Sequence, residues 1–277
     1  MKKLIFVLAT IFSFALLFSS CKKDQLDDAA ATPLELTGDD FSNLQGITED
    51  LDDEVEAYLD ELGSNEISDR TTCPNVVFAQ PRGTFPNTIT LTYDAGCTTR
   101  NGRSVEGQII IELSAKWDQT GATRTVSFVN FFVDGAQLEG GKILTNLGTD
   151  ANGVVCFSRE SSKTLTFPDG TSASWNASHE LCRIEGGDTP IKWDDVHQVT
   201  GSATGVNRQG NAFQSEITEP LIKPVNCRFI VGGVSTLTVN GQTGSLNFGD
   251  GNCDRLAEIT KPDGTVRTII LDPWWRR

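Results

Sequence analysis

The hydrophobic pattern of this chain changes once. Before Gly63 the apolar residues Ile47, Leu51, Val55, Tyr58, Leu59 and Leu62 fall at helical spacing, mostly steps of three and four, which gathers them on one face of a helix. One short amphipathic helix over residues 47–63 is therefore predicted. Thr48 can cap its first turn, the acids Glu49, Asp50, Asp52 and Asp53 suit the positive helix start, and Gly63 stands where a helix stops. After Gly63 no helical period returns. Apolar and polar residues instead alternate with a period of two, in runs rich in Thr, Val, Ile and Phe separated by Gly, Asn, Asp and Pro. Strands are expected at 88–97, 105–117, 123–133, 143–147, 153–160, 164–167, 172–185, 196–206, 211–218, 229–239, 243–253, 257–260 and 266–271. The phrase Pro-Asp-Gly-Thr occurs at Pro168 to Thr171 and again at Pro262 to Thr265, each time between two alternating runs, which is a strong hairpin signal. Parallel strands need long crossovers that these short turns do not supply. The expectation is an all-β domain over residues 71–277: a large antiparallel sheet, or a sandwich or half-barrel, of repeated hairpins. About 200 residues suffice for one domain with a substantial core.

Charge alters the picture at one end. Of the 37 carboxylates, sixteen lie between Asp24 and Asp69, a stretch with no Lys or Arg. The four basic residues before it leave 19 for Arg70 to Arg277, against 21 acids. The net charge of −14 thus belongs almost wholly to the first part of the chain. High like charge and low hydrophobicity disfavour ordering, so residues 21–46 are expected to form an acidic disordered tether. The helix after it has two readings, packing on its own domain or docking a partner, and the first is favoured because single amphipathic faces usually pack internally. A basic nucleic-acid footprint is absent from the sequence.

Six cysteines follow Cys21: Cys73, Cys97, Cys156, Cys182, Cys227 and Cys253. Six allow fifteen connectivities. The intervals 73–97, 156–182 and 227–253 are nearly equal, which favours pairing between neighbours into a disulfide framework. Zinc ligation lacks a closely spaced pair. The stretches Thr88 to Cys97 and Thr243 to Cys253 also resemble each other, both being alternating runs that end in glycine and cysteine, as a duplicated strand-turn-strand unit would.

The N-terminus opens with Lys2 and Lys3, continues through an uncharged apolar segment from Leu4 to Phe18, and closes Ser19-Ser20-Cys21. This resembles a bacterial lipoprotein signal (residues 1–20), with Phe18 where the lipobox usually has Leu. The resemblance implies cleavage by signal peptidase II before Cys21 and acylation of that cysteine by diacylglycerol and an amide-linked chain such as palmitate, an anchor of two or three chains that holds stably. Lys22, rather than Asp, follows the cysteine. The charged start Lys22-Lys23-Asp24 with Asp27-Asp28 also resembles surface-exported lipoproteins. Gly249-Asp250-Gly251-Asn252-Cys253-Asp254, together with Trp193-Asp194-Asp195 and Thr200-Gly201, resembles a family of uncharacterised Bacteroidota lipoproteins. That resemblance implies a cell-envelope location and an all-β domain, and brings no activity with it; the expected place is the outer membrane, lipid-anchored on its cell-surface or periplasmic face.

Chemistry is thinly provided for. His179 and His197 are the only histidines, with Glu180, Asp194 and Asp195 adjacent. Two imidazoles and a carboxylate can hold a transition metal if strands bring them together. Asp250, Asn252 and Asp254 match the opening of a calcium loop, but Arg255 stands where such a loop wants Gly and Lys261 where it wants Glu. A turn whose side chains bond their own backbone accounts for the same residues. No nucleophile elbow or phosphate loop is present, and adjacent Asp194 and Asp195 would point to opposite faces of a strand. Neither an enzyme nor a cofactor is indicated. The tryptophans Trp175, Trp193, Trp274 and Trp275 remain as sheet-surface candidates for binding a glycan or an envelope protein partner. The leading expectation is a non-enzymatic, lipid-anchored binding or structural module. An apolar-ligand carrier built on a curved half-barrel is the alternative, and a metal- or carboxylate-dependent hydrolase the third.

Overall fold

A computed structural model describes residues 32–64, 73–189 and 191–271. One helix, α1 (Pro33–Ser64), precedes thirteen strands: β1 (Asn75–Phe78), β2 (Asn87–Thr98), β3 (Ser104–Leu113), β4 (Thr123–Val133), β5 (Ala136–Thr149), β6 (Val155–Thr166), β7 (Ser172–Glu185), β8 (Val196–Val206), β9 (Ala212–Pro224), β10 (Gly232–Val239), β11 (Gln242–Asp250), β12 (Leu256–Thr260) and β13 (Val266–Ile270). The strands form one sheet in chain order, every pairing antiparallel. It is open, since β1 pairs only with β2 and β13 only with β12. The all-β antiparallel expectation holds, in its single-sheet form.

Alternation set most strand positions. Ile89, Leu91 and Tyr93 of β2, Ile109 and Ile111 of β3, and Leu237 and Val239 of β10 all turn to one buried face. Two expected strands, 153–160 and 164–167, are one strand, β6. The polar run Ser161-Ser162-Lys163 reads as a break, yet Lys163 continues the inward alternation with Leu165 and is itself buried. β9 likewise runs on past residue 218, because Pro220 sits where the register with β8 shifts, a place where a sheet tolerates proline. Both Pro-Asp-Gly-Thr phrases form the turns expected, closed by the Phe167 N–H to the Thr171 carbonyl and the Lys261 N–H to the Thr265 carbonyl, each at 2.8 Å.

The sheet is bent by bulges. Gly107 and Gly201 lie at two register shifts with φ of 107° and 123°. A Cβ on either would sit 2.1 Å from a carbonyl oxygen of the adjacent strand, so only glycine fits. Bulges of this kind increase twist and bend the strand that carries them.

What the sheet bends around is α1. At 32 residues it is roughly 48 Å long, and no described residue from Leu34 to Leu59 is exposed. Leu34, Leu44, Ile47, Leu51, Val55 and Tyr58 join one core with Leu91, Ile109, Phe131, Leu165 and Leu246 of the strands. Each such side chain contributes about 1.5–3 kcal/mol by leaving water.

The helix starts earlier than its hydrophobic spacing indicated. Its first turn is a capping box: the Thr32 N–H donates to Glu35 Oε2 at 2.7 Å and the Glu35 N–H to Thr32 Oγ1 at 3.4 Å, with Pro33 in the favoured first helical position. The expectation of a disordered tether is corrected from Pro33 to Gly46, which is helical, while residues 21–31 lie outside the described residues. The physical reason is charge compensation from far along the chain. Glu35 pairs with Lys261 (3.5 Å), Asp39 with Arg267 (3.2 Å), and Asp40 accepts the Arg208 N–H (3.0 Å). A segment weighed alone shows none of these partners.

The same arrangement continues down the helix. Glu49 and Asp52 take Arg159 at 3.2 and 3.6 Å, Asp52 takes Lys142 at 2.5 Å, Glu56 pairs with Arg124, and Glu54 receives the Arg100 N–H at 3.0 Å. Asp50 is reached from two distant places in the sheet at once, Arg103 before β3 and Arg228 between β9 and β10. Strands that far apart in the order meet at one carboxylate only if the sheet wraps the helix.

The three disulfides join neighbours as the spacings indicated: Cys73–Cys97, Cys156–Cys182 and Cys227–Cys253. Cys156 and Cys182 lie directly opposite each other on β6 and β7. In the chain-entropy account a loop of 24 to 26 residues contributes about 3 kcal/mol.

Asp50 and Arg103 are both fully buried. Removing one partner of a buried pair leaves an uncompensated charge and costs about 3–5 kcal/mol. Asp50→Ala is expected to lower stability by that amount in urea denaturation. Asp60→Ala, which removes a half-exposed pair with Lys192, is expected to stay within about 1 kcal/mol of the parent.

Candidate functional site

The inner faces of β6 to β10 do not close completely on α1. Between them lies a cavity of about 50 Å³, room for a few water molecules or a ligand of a few heavy atoms. One part of its lining is apolar: Phe41 and Leu44 of α1, Val199 of β8, Ile217 and Leu221 of β9, and Ile230. The other part is polar, with Thr48 and Glu49 of α1, Arg159 and Lys163 of β6, His179 of β7, Ser215 and Lys223 of β9 and Ser235 of β10. Trp175 forms a wall beside Lys163, directly across from it in the β6–β7 ladder, with Lys163 Nζ 5.9 Å from the ring centroid.

Lys163 is the unusual member. It is 3% exposed, and its ammonium donates to Thr48 Oγ1 at 3.3 Å. Among the described residues no carboxylate pairs with it. Three cations on this part of the inner face, Lys142, Arg159 and Lys163, meet two carboxylates, Glu49 and Asp52, and those are taken by Lys142 and Arg159. Burial pushes Lys163 down to about 7, against the pull of the Asp52 charge. Asp53 on the neighbouring turn is pushed up to about 7 by burial, against the opposing effect of Lys223. Lys223 itself donates to the Cys227 carbonyl at 2.7 Å. On another wall Ser235, 1% exposed, has a hydroxyl without a hydrogen-bond partner.

His179 is fixed by its neighbour across the ladder. Arg159 Nη2 lies 3.2 Å from His179 Nδ1, and a guanidinium only donates. Nδ1 must therefore accept, which leaves the proton of the neutral ring on Nε2. Burial, and then the Arg159 charge, push the imidazole down to about 4.

The structure separates several residues that the sequence grouped. His197 pairs with Arg183 in the β7–β8 register, while His179 pairs with Gly201. The two histidines are thus offset by four residues along β7, roughly 13 Å, and do not share a metal. Burial holds His197 below its ordinary value. Asp194 is bonded by the Thr189 hydroxyl, and Asp195 receives Arg183 at 3.5 Å. Asp250 accepts from the Asn252 side-chain amide at 2.7 Å, and Asp254 accepts from the Leu256 backbone N–H at 2.9 Å. A grouping of possible metal ligands among the described residues is Cys156, Glu180 and Cys182, but the two sulfurs are bonded to each other and offer no thiolate.

Trp175, a sheet-surface candidate by sequence, lies instead in the cavity wall, 8% exposed. Trp193 is 68% exposed, next to exposed Ile191. Cys21, Trp274 and Trp275 lie outside the described residues. Sequence reasoning missed Lys163 and Ser235. Their signal was parity, since each shares the inward alternation of its neighbours Leu165 and Leu237.

Comparison of the chain with known protein families, curated proteins and solved structures found no match.

The His179 ring is expected to stay neutral in the folded protein from pH 8 down to near 4, as read by its NMR titration. The unfolded chain takes up that proton near 6.5. The contribution of His179 to stability is therefore fully present above pH 6.5 and lost as the pH falls toward 4.

Proposed function

We propose that this chain is a lipid-anchored cell-envelope protein, held at the outer membrane through Cys21, that binds a small ligand without chemically changing it. The cavity between α1 and the β6–β10 face is the binding site. The observation that carries this reading is the pair of buried polar groups left short of partners there, the Lys163 ammonium and the Ser235 hydroxyl. Buried polar groups are ordinarily satisfied, and each costs free energy until something bonds it. A carrier for whole lipid chains fits less well, because α1 occupies the concave face that a lipid would need. His179, bonded through Nδ1 to Arg159, is an orienting wall rather than a proton-transfer base.

A second reading rests on Trp193. This ring and Ile191 stand exposed on a turn braced by Thr189, whose hydroxyl lies 3.0 Å from both Asp194 oxygens. An exposed aromatic on a braced turn suits a glycan face or an envelope protein partner.

Two measurements test the proposal. Cys21→Ser is expected to move the protein out of the membrane fraction, and its retention there would remove the anchor. In a screen of small neutral and charged compounds, binders are expected to shift the Trp175 indole resonance, and Ala203→Leu, which fills the cavity, is expected to abolish those shifts. A screen that leaves Trp175 unmoved would overturn the cavity reading.

A further inference from the structure

The cavity's polar lining is rich in donors and in positive charge. Lys163 has one neutral oxygen partner and spare protons, and the described carboxylates around it are committed to Lys142 and Arg159. His179 presents an N–H from Nε2, and Ser235 an unpartnered hydroxyl. A ligand that satisfies such a lining must be an acceptor carrying negative charge. The rest of the lining, Phe41, Leu44 and Ile217 among it, is apolar, and a volume of about 50 Å³ limits the ligand to a few heavy atoms.

We propose that the cavity binds a short-chain monocarboxylate, its carboxylate paired with the Lys163 ammonium and its alkyl tail lying against the apolar wall between α1 and β8–β10. This rests on the ligand-cavity reading above and adds the chemical class. The carboxylate supplies the one negative charge that the group Lys142, Arg159, Lys163, Glu49 and Asp52 lacks. It also enters an environment where charge pairs are stronger than in water.

A proton follows from the same geometry. The charged groups facing Lys163 are Glu49 and Asp52 from α1, Lys142 from β5 and Arg159 from β6. Lys223 of β9 and neutral His179 of β7 line the same space. With cations in excess, the empty site resists full protonation of Lys163, and an arriving carboxylate restores it. Binding near and above pH 7 therefore takes up a proton, and affinity falls as the pH rises, by up to about tenfold per unit.

The test is titration calorimetry of the full chain with sodium butyrate and with butyramide, a neutral compound of nearly the same shape. Butyrate is expected to bind at least tenfold more tightly than butyramide, with an enthalpy that depends on the buffer's ionisation because a proton is taken up. Lys163→Met, which keeps the length and removes a buried charge, is expected to keep its melting temperature within a few degrees and to lose at least tenfold in butyrate affinity. Butyramide binding as well as butyrate, both shifting Trp175, would sink the carboxylate assignment while leaving the cavity reading standing. Butyrate binding unchanged in Lys163→Met would move the anion away from Lys163 and overturn the proposal. Failure of both compounds, with Trp175 silent throughout the small-molecule screen, would overturn the cavity reading as well.

Discussion

The contact between the carboxylates of α1 and the cations on the concave face of the sheet is what the rest of the molecule depends on. Apolar burial supplies most of the favourable free energy of packing, but it is non-directional. An apolar rod in an apolar trough could rotate or slide at little cost. Asp50 between Arg103 and Arg228, Asp52 between Lys142 and Arg159, and Glu56 on Arg124 remove that freedom. Shifting the helix by one turn would leave several buried guanidinium groups without counter-ions. Buried ion pairs add little net stability against an apolar alternative; here they fix position and rotation.

The same contact generates the cavity. Where carboxylates and cations match, helix and sheet close on each other. At the level of Thr48 and Glu49 the strands present one more cation than the helix can answer, and the small side chains Ser161, Ala177, Ala203, Ser215 and Ser235 line the space opposite. The void and the charge excess coincide. The site is thus a local departure from a rule obeyed along the rest of the helix, and such departures are where function is expected.

The strands were legible because alternation is a local property. β4, β7 and β8 begin and end where the pattern placed them, and the disulfide partners followed from equal spacing. β1, at four residues, is too short to show a period. The start of α1 was legible in principle, from Thr32-Pro33-Leu34-Glu35. Gly38, Gly46 and the density of acids hid it, because propensity and charge were summed without the distant strands that answer them. The same limit concealed the site. Parity places Lys163 and Ser235 on the inner face, but whether an inward lysine finds a counter-ion depends on a helix more than a hundred residues earlier in the chain.

The strictly sequential order of the sheet also implies an order of assembly. Each strand bonds only to its chain neighbours, so the sheet can grow hairpin by hairpin with short loop closures. The helix contacts are of another kind: Arg228 reaches Asp50 across 178 residues and Arg267 reaches Asp39 across 228. Closing such loops is entropically costly and slow. The N-terminal helix, made first, is thus the last element to be fully clasped, and until then the concave face of the growing sheet carries its positive charges to solvent, which keeps an otherwise apolar trough soluble while it waits for its core.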